Sequence, residues 1–164
     1  MQTAQTNQTT IEERKDIMAK LGDPTDFSYR INKVTKVIDG DTIDVIIDLG
    51  FDILHKSRVR LFGIDTPESR TSNKEEKVRG LISKEFLKDR IKNAKKITIR
   101  THKGEETGKF GRILGEVFCD GVNVNQQMCD EGYAVAYYGQ NKSLVESEHM
   151  KNKELLIKKG ILKA

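Results

Sequence analysis

Pro67 sets the strongest constraint on how this chain can fold. The run Arg60-Leu61-Phe62-Gly63-Ile64-Asp65-Thr66-Pro67-Glu68 reads as a strand, with Val59, Leu61 and Ile64 among its apolar residues. It must stop at a proline, which has no N–H to continue a ladder. Arg60, Asp65, the Thr66 carbonyl and Glu68 crowd around that forced end. A strand that turns sharply is a good place for a carboxylate that must face solvent and a cation. A plain capped turn would look the same. A second acidic turn upstream, Asp39-Gly40-Asp41-Thr42, and the pair Gly111-Arg112 downstream weigh against the plain turn.

At 164 residues the chain suits one domain with a single core. Its net charge of +4 suits a polyanionic partner without requiring one. Cys119 and Cys129 have no CxxC spacing and no histidine cluster beside them, so zinc is not expected and two free thiols are. Residues 1–28 are polar, with no apolar core of signal-peptide length, and no run approaches a membrane span. The expectation is a cytoplasmic protein that does not enter a membrane, with export by another route left open.

Two regions follow: an N-terminal appendage over 1–28 and a β-rich domain over 29–164. In the appendage, Thr9 or Thr10 can cap a helix over 11–21 with Ile11, Ile17, Met18 and Leu21 as its apolar stripe. Such a helix offers a contact for self-association; a disordered arm is the alternative. In the domain, strands are expected over 29–38, 42–48, 55–65, 95–101 and 112–119, with Asp39-Gly40 as a turn. The apolar Phe51, Ile53 and Leu54 read as a strand extension. Ser72 with Glu75 forms a capping box before a helix whose stripe is Val78, Leu81, Ile82, Phe86, Leu87 and Ile91. Asn123 with Gln126 starts a short helix, and Ser143 with Glu146 starts the last, which ends near Gly160. Pattern alone supports an α+β, mostly antiparallel domain.

The ordered set Ile38-Asp39-Gly40-Asp41-Thr42-Ile43, Arg60 through Glu68, and Lys109 through Val117 resembles the staphylococcal nuclease family. The likeness continues through Asp120-Gly121, Asn125, Glu131 to Ala134 and a basic last helix, and so covers roughly 29–162. It implies a five-stranded OB-type β-barrel with three packed helices, to which the N-terminal helix is a short addition. It also implies a calcium-dependent nuclease that cleaves DNA and RNA at the P–O5′ bond with little sequence preference.

Carried onto this chain, the resemblance makes Asp41, Asp65 and the Thr66 carbonyl the metal ligands, a hard oxygen set that suits calcium. Glu68 becomes the general base for an attacking water, its alternative role being a first-turn acidic cap. Arg60 and Arg112 become phosphate clamps, since a planar guanidinium offers two parallel bonds to phosphoryl oxygens. Lys109, in the segment 103–111, matches a phosphate contact. Phe110 stands where the family usually has tyrosine, so a hydroxyl contact to a terminal phosphate is missing. Tyr137 or Tyr138 falls where the family stacks a base, with core packing as the other role. Asp39 reads as a turn residue supporting Gly40. His55, His102 and His149 lack ligand spacing and read as surface residues. Strict alternation puts Arg60 and Asp65 on opposite faces of one strand, and only the resemblance brings them together. The rival reading is a catalytically silent OB-type nucleic-acid-binding module.

Overall fold

The computed structural model describes residues 27–102 and 111–164. The expected helix over 11–21, the segment 103–110 and with it Lys109 and Phe110 lie outside the described residues.

Five strands close into a barrel. β1 (Ser28–Asp39) pairs antiparallel with β2 (Thr42–Asp48), which pairs with β3 (Leu54–Leu61). On its other side the start of β1 pairs with a later strand (Ile97–His102) that in turn pairs with another (Arg112–Cys119). With the two-residue strand β4 (Ile64–Asp65) between them in sequence, these are β5 and β6. Closure is a parallel pairing of β3 with β6, Arg58 opposite Arg112 through Leu61 opposite Gly115. The barrel is therefore mixed, of the OB type, and three helices pack around it among the described residues. β1 pairs with β5 at its start and with β2 along most of its length, and its register with β2 shifts at three places, each of which adds coil to the strand.

Alternation fills the inside. Ile43, Val45 and Ile47 of β2, Val59 and Leu61 of β3, Ile99 of β5 and Val117 of β6 are almost completely buried. β6 ends at a turn into β7 (Val122–Asn123), whose Asn123 caps α2 (Val124–Glu131) by accepting from the Gln126 N–H. α2 then buries Val124 and Met128, four apart on one face. Cys119 and Cys129 are free. Burial pushes the Cys119 thiol up and that of Cys129 up to about 11, so both stay protonated at neutral pH.

Several expected details differ. The strand expected over 55–65 breaks after Leu61, and Asp65 belongs to β4, which pairs with β8 (Val135–Ala136) instead. Of the apolar stretch after β2 only Leu54 extends a strand, as the first residue of β3; Leu49 and Ile53 close a tight turn, with Phe51 and Asp52 in the left-handed region and Phe51 95% exposed. α1 (Lys74–Asn93) is capped by Asn73, not Ser72, and α3 (Lys142–Lys158) by Asn141, not Ser143. Asn73 stands one residue after the expected cap and Asn141 two before it, and in each the side-chain Oδ1 accepts from first-turn N–H groups, Glu75 and Glu76 in α1 and Leu144 in α3.

The buried face of α1 also differs. Val78 and Leu81 are exposed, whereas Arg79, Gly80, Ser83 and Leu87 are buried. Small residues let the helix lie close to the two acidic turns. A Cβ on Gly80 would stand 2.5 Å from the Glu68 carbonyl carbon, and one on Gly40 would stand 2.9 Å from Ser83 Cβ. Apolar periodicity cannot reveal a face chosen for closeness rather than for area.

Candidate active site

Arg60 and Asp65 meet because the chain reverses between them. Gly63 adopts a φ of +77°, a left-handed conformation glycine reaches without a Cβ penalty, and Tyr137 N–H binds its carbonyl at 2.8 Å. The tight bend overrides strand parity. Arg60 Nη1 then donates back to the carbonyls of Leu61 at 3.0 Å and Ile64 at 2.9 Å. That anchorage leaves Nη2 facing two carboxylates, Asp41 Oδ2 at 3.4 Å and Asp65 Oδ1 at 3.6 Å. The guanidinium stands between the two aspartates rather than on one of them.

Asp41 belongs to the turn between β1 and β2, where it is buried. Its Oδ1 accepts from the Thr42 hydroxyl at 3.0 Å, and its Oδ2 from Thr66 N–H at 3.2 Å. The second bond ties the two acidic turns directly. Thr66 is buried too, and its Oγ1 has no hydrogen-bond partner among the described residues.

Asp39 does more than support Gly40. Its Oδ1 accepts from the Ser69 hydroxyl and its Oδ2 from Arg70 at 3.2 Å, which pins the segment just after Glu68. Glu68 N–H in turn donates to Glu76 Oε1 of α1 at 3.3 Å. The Glu68 carboxyl lies at the rim. Protein around it still excludes enough water to raise its pKa, and Asp39, Asp41, Glu76 and Asp65 add to the rise by repulsion.

Arg60, Asp65, Thr66, Glu68, Arg112 and Tyr137 line one cleft of about 460 Å³. Gln140 and four residues of α3, namely Lys142, Val145, Glu146 and His149, form its other wall. Arg112 reaches it from the start of β6, just after Gly111 with a φ of +66°, and is half-buried. Tyr137 faces the cleft, whereas Tyr138 is 80% exposed and binds Gln140 Oε1 through its N–H. Neither tyrosine belongs to the core.

Two histidines are not surface residues. His102 is buried and stacked on Phe62 with ring centroids 4.2 Å apart. His149 is buried on α3, and its Nε2 lies 2.8 Å from Asp65 Oδ2. Only His55 is exposed. A signal existed for His149: it shares a helical face with Asn152 and the buried Leu156, and a polar residue on a buried stripe needs a partner. Asn125 is a further clamp. Its amide donates to the carbonyls of Phe62 and Gly115 and accepts from Val117 N–H, locking the end of β3 against β6.

Oxygen donors dominate the cleft. Asp41, buried and not among the lining residues, shares Arg60 as a cationic neighbour with Asp65, and Glu68 is held at raised pKa by burial first and by surrounding negative charge second. This chemistry fits a hard cation. Among the described residues no three acidic, histidine or cysteine side chains are grouped at coordinating distance.

Residues 58–160 match the family described as staphylococcal nuclease homologue. An uncharacterized protein of Bacillus anthracis is 36% identical over 106 residues, covering 65% of this chain and 47% of that protein. Endonuclease YncB of Bacillus subtilis is 32% identical over 121 residues, covering 73% of this chain and 54% of YncB. An uncharacterized endonuclease of Escherichia coli is 34% identical over 110 residues, covering 66% of this chain and 62% of that protein. The chain thus spans about half the length of the curated relatives it matches.

Proposed function

The chain belongs to the staphylococcal nuclease homologue family, and from that premise we propose that it is a metal-dependent nuclease acting on DNA and RNA, with calcium as its ion. The observation that carries this reading is the convergence of acid, base and guanidinium groups on one cleft. A plain binding surface needs cations and aromatic faces; it has no use for carboxylates aimed at a polyanion.

Asp41, Asp65 and the Thr66 carbonyl would hold the ion. When bound, calcium would polarise a phosphoryl oxygen and offset the repulsion between the carboxylates and the phosphate. Glu68 takes a proton from a water molecule as the water oxygen forms a bond to phosphorus. The raised pKa of Glu68 makes it a better proton acceptor than an ordinary carboxylate. As the P–O5′ bond breaks, Arg112 pairs with the charge gathering on the phosphoryl oxygens, and the leaving oxygen takes its proton from solvent. Arg60 contributes differently from a free clamp. One of its nitrogens is committed to Leu61 and Ile64 carbonyls, so it presents the other as a fixed donor between Asp41 and Asp65. Tyr137 offers a face for a base at the cleft wall.

Few charged ligands, carried by turns and a strand end, put the site toward the weak end of protein calcium sites, with Kd on the order of 10⁻⁴–10⁻³ M without substrate. Plasmid cleavage measured across a calcium titration tests the proposal, with parallel series in magnesium and in chelator. Activity should rise into the millimolar calcium range, vanish with chelator and stay low in magnesium. Nucleic-acid binding without cleavage under every condition would favour the silent binding module instead.

A further inference from the structure

Asp65 is held from one side by a residue far away in sequence. Among the described residues, the one hydrogen bond to its carboxylate comes from His149, Nε2 to Oδ2 at 2.8 Å. Arg60 Nη2 at 3.6 Å from Oδ1 attracts the group but is too distant for a hydrogen bond. The terminal torsion of an aspartate is soft and broad, so a charge at that distance leaves its plane loosely defined. A directed N–H···O bond from a buried ring does define it.

The ring is itself well placed to act as a fixed arm. His149 is buried on α3, and three residues on Asn152 Nδ2 donates to the Ala134 carbonyl at 2.9 Å, next to β8. β8 pairs with β4, opposing Val135 to Asp65 itself. α3, β8 and β4 thereby form a closed frame, and the His149 bond spans it. Carboxylate Oδ2 accepts, so the Nε2 position carries the proton in this contact. Oδ1, on the side of Arg60 and Asp41, is the oxygen left to face a cation.

We propose that His149 is a positioning residue: it fixes the Asp65 carboxylate so that one oxygen is presented to the metal, and α3 thereby sets metal affinity. The inference rests on the reading of Asp65 as a ligand given above. Partners of ligating groups typically change affinity by about 10–100-fold when removed, which gives the scale expected.

The test is the calcium dependence of the thermal unfolding midpoint of the full chain, compared with His149→Leu and His149→Gln. A ligand that binds only the folded state raises the midpoint according to its concentration over Kd. Leucine fills the space without an N–H, whereas glutamine carries its amide where the imidazole Nε2 stands. The leucine chain should need about 10–100-fold more calcium for the same rise; the glutamine chain should follow the wild type; and all three midpoints in chelator should lie close together. Should the leucine chain not fold, His149→Asn, too short to reach Oδ2, replaces it with the same expectation. Calcium curves that overlay for the wild type and the leucine chain, or a glutamine chain as weak as the leucine one, would overturn this inference alone. A wild-type midpoint indifferent to calcium would overturn the metal assignment and this inference together.

Discussion

Gly40 sits directly against Ser83: a Cβ added to Gly40 would stand 2.9 Å from Ser83 Cβ and 3.0 Å from Thr66 Cγ2. The absence of one carbon on the β1–β2 turn thus allows α1 to press both acidic turns together. Gly40→Ala should destabilise the protein by about 1–3 kcal/mol, the usual cost of overpacking. Adding Ser83→Gly should return part of the loss, but not all, because the Ser83 hydroxyl also donates to the Tyr133 carbonyl at 2.7 Å. The two changes should therefore be non-additive in a denaturant-unfolding cycle. Additive losses would show that the helix does not hold the turn.

Glu68→Gln tests the proposed base. The side chain keeps its size, and the anchoring bonds through Glu68 N–H and Asp39 do not involve its carboxyl. Folding and nucleic-acid binding should persist while the cleavage rate falls about 10²–10⁴-fold. Loss of binding with kcat kept at saturation would make Glu68 a ligand or a cap.

Arg112→Lys separates charge from geometry. Lysine retains the positive charge at the start of β6 but loses the planar fork. Turnover should fall by roughly 10²-fold or more with substrate binding changed much less, since the lost interaction belongs to the transition state. Steady-state kinetics at saturating calcium gives the answer, and near-normal kcat in the lysine variant would remove Arg112 from the chemistry.

Asp120 gives a pH dependence of stability away from the cleft. Its carboxylate accepts from the N–H groups of Lys96 and Lys95, and these bonds lower its pKa below the usual 3.8. A depressed folded-state pKa stabilises above the unfolded value, and the contribution is lost as pH falls through the folded one. Asn tolerates the left-handed φ of 51° at this position, so Asp120→Asn removes the charge without adding backbone strain. The melting midpoint of the wild type should exceed that of Asp120→Asn at neutral pH, with the gap narrowing below about pH 4. A gap that stays constant to pH 2 would mean that the charge contributes nothing.

Much of the barrel is legible locally. β5 alternates Ile97 and Ile99 with Thr98 and Arg100, with Ile99 fully buried, and a period of two is visible in any single sequence. Asn123 before α2 is equally readable, since a cap binds only the next few N–H groups. Caps at Asn73 and Asn141 were missed by one or two positions because serine and asparagine compete for the same role.

By itself the sequence determined which residues are candidates for the chemistry and in what order: Asp41, Arg60, Asp65, Glu68 and Arg112 are distinguishable by type and by the turns that hold them. Tertiary structure alone decided which of them meet. Arg60 and Asp65 share a site through the Gly63 reversal, whose carbonyl is held by Tyr137 from another part of the chain. α1 turned Gly80 and Ser83 inward, rather than its apolar Val78 and Leu81, because closeness to the two turns was available only on that face. His149 found Asp65 across 84 positions, through the packing of α3 on β8. Local patterns record what each residue can do with its neighbours in sequence; a contact across the barrel depends on every turn and crossing between, and no single stretch contains that information.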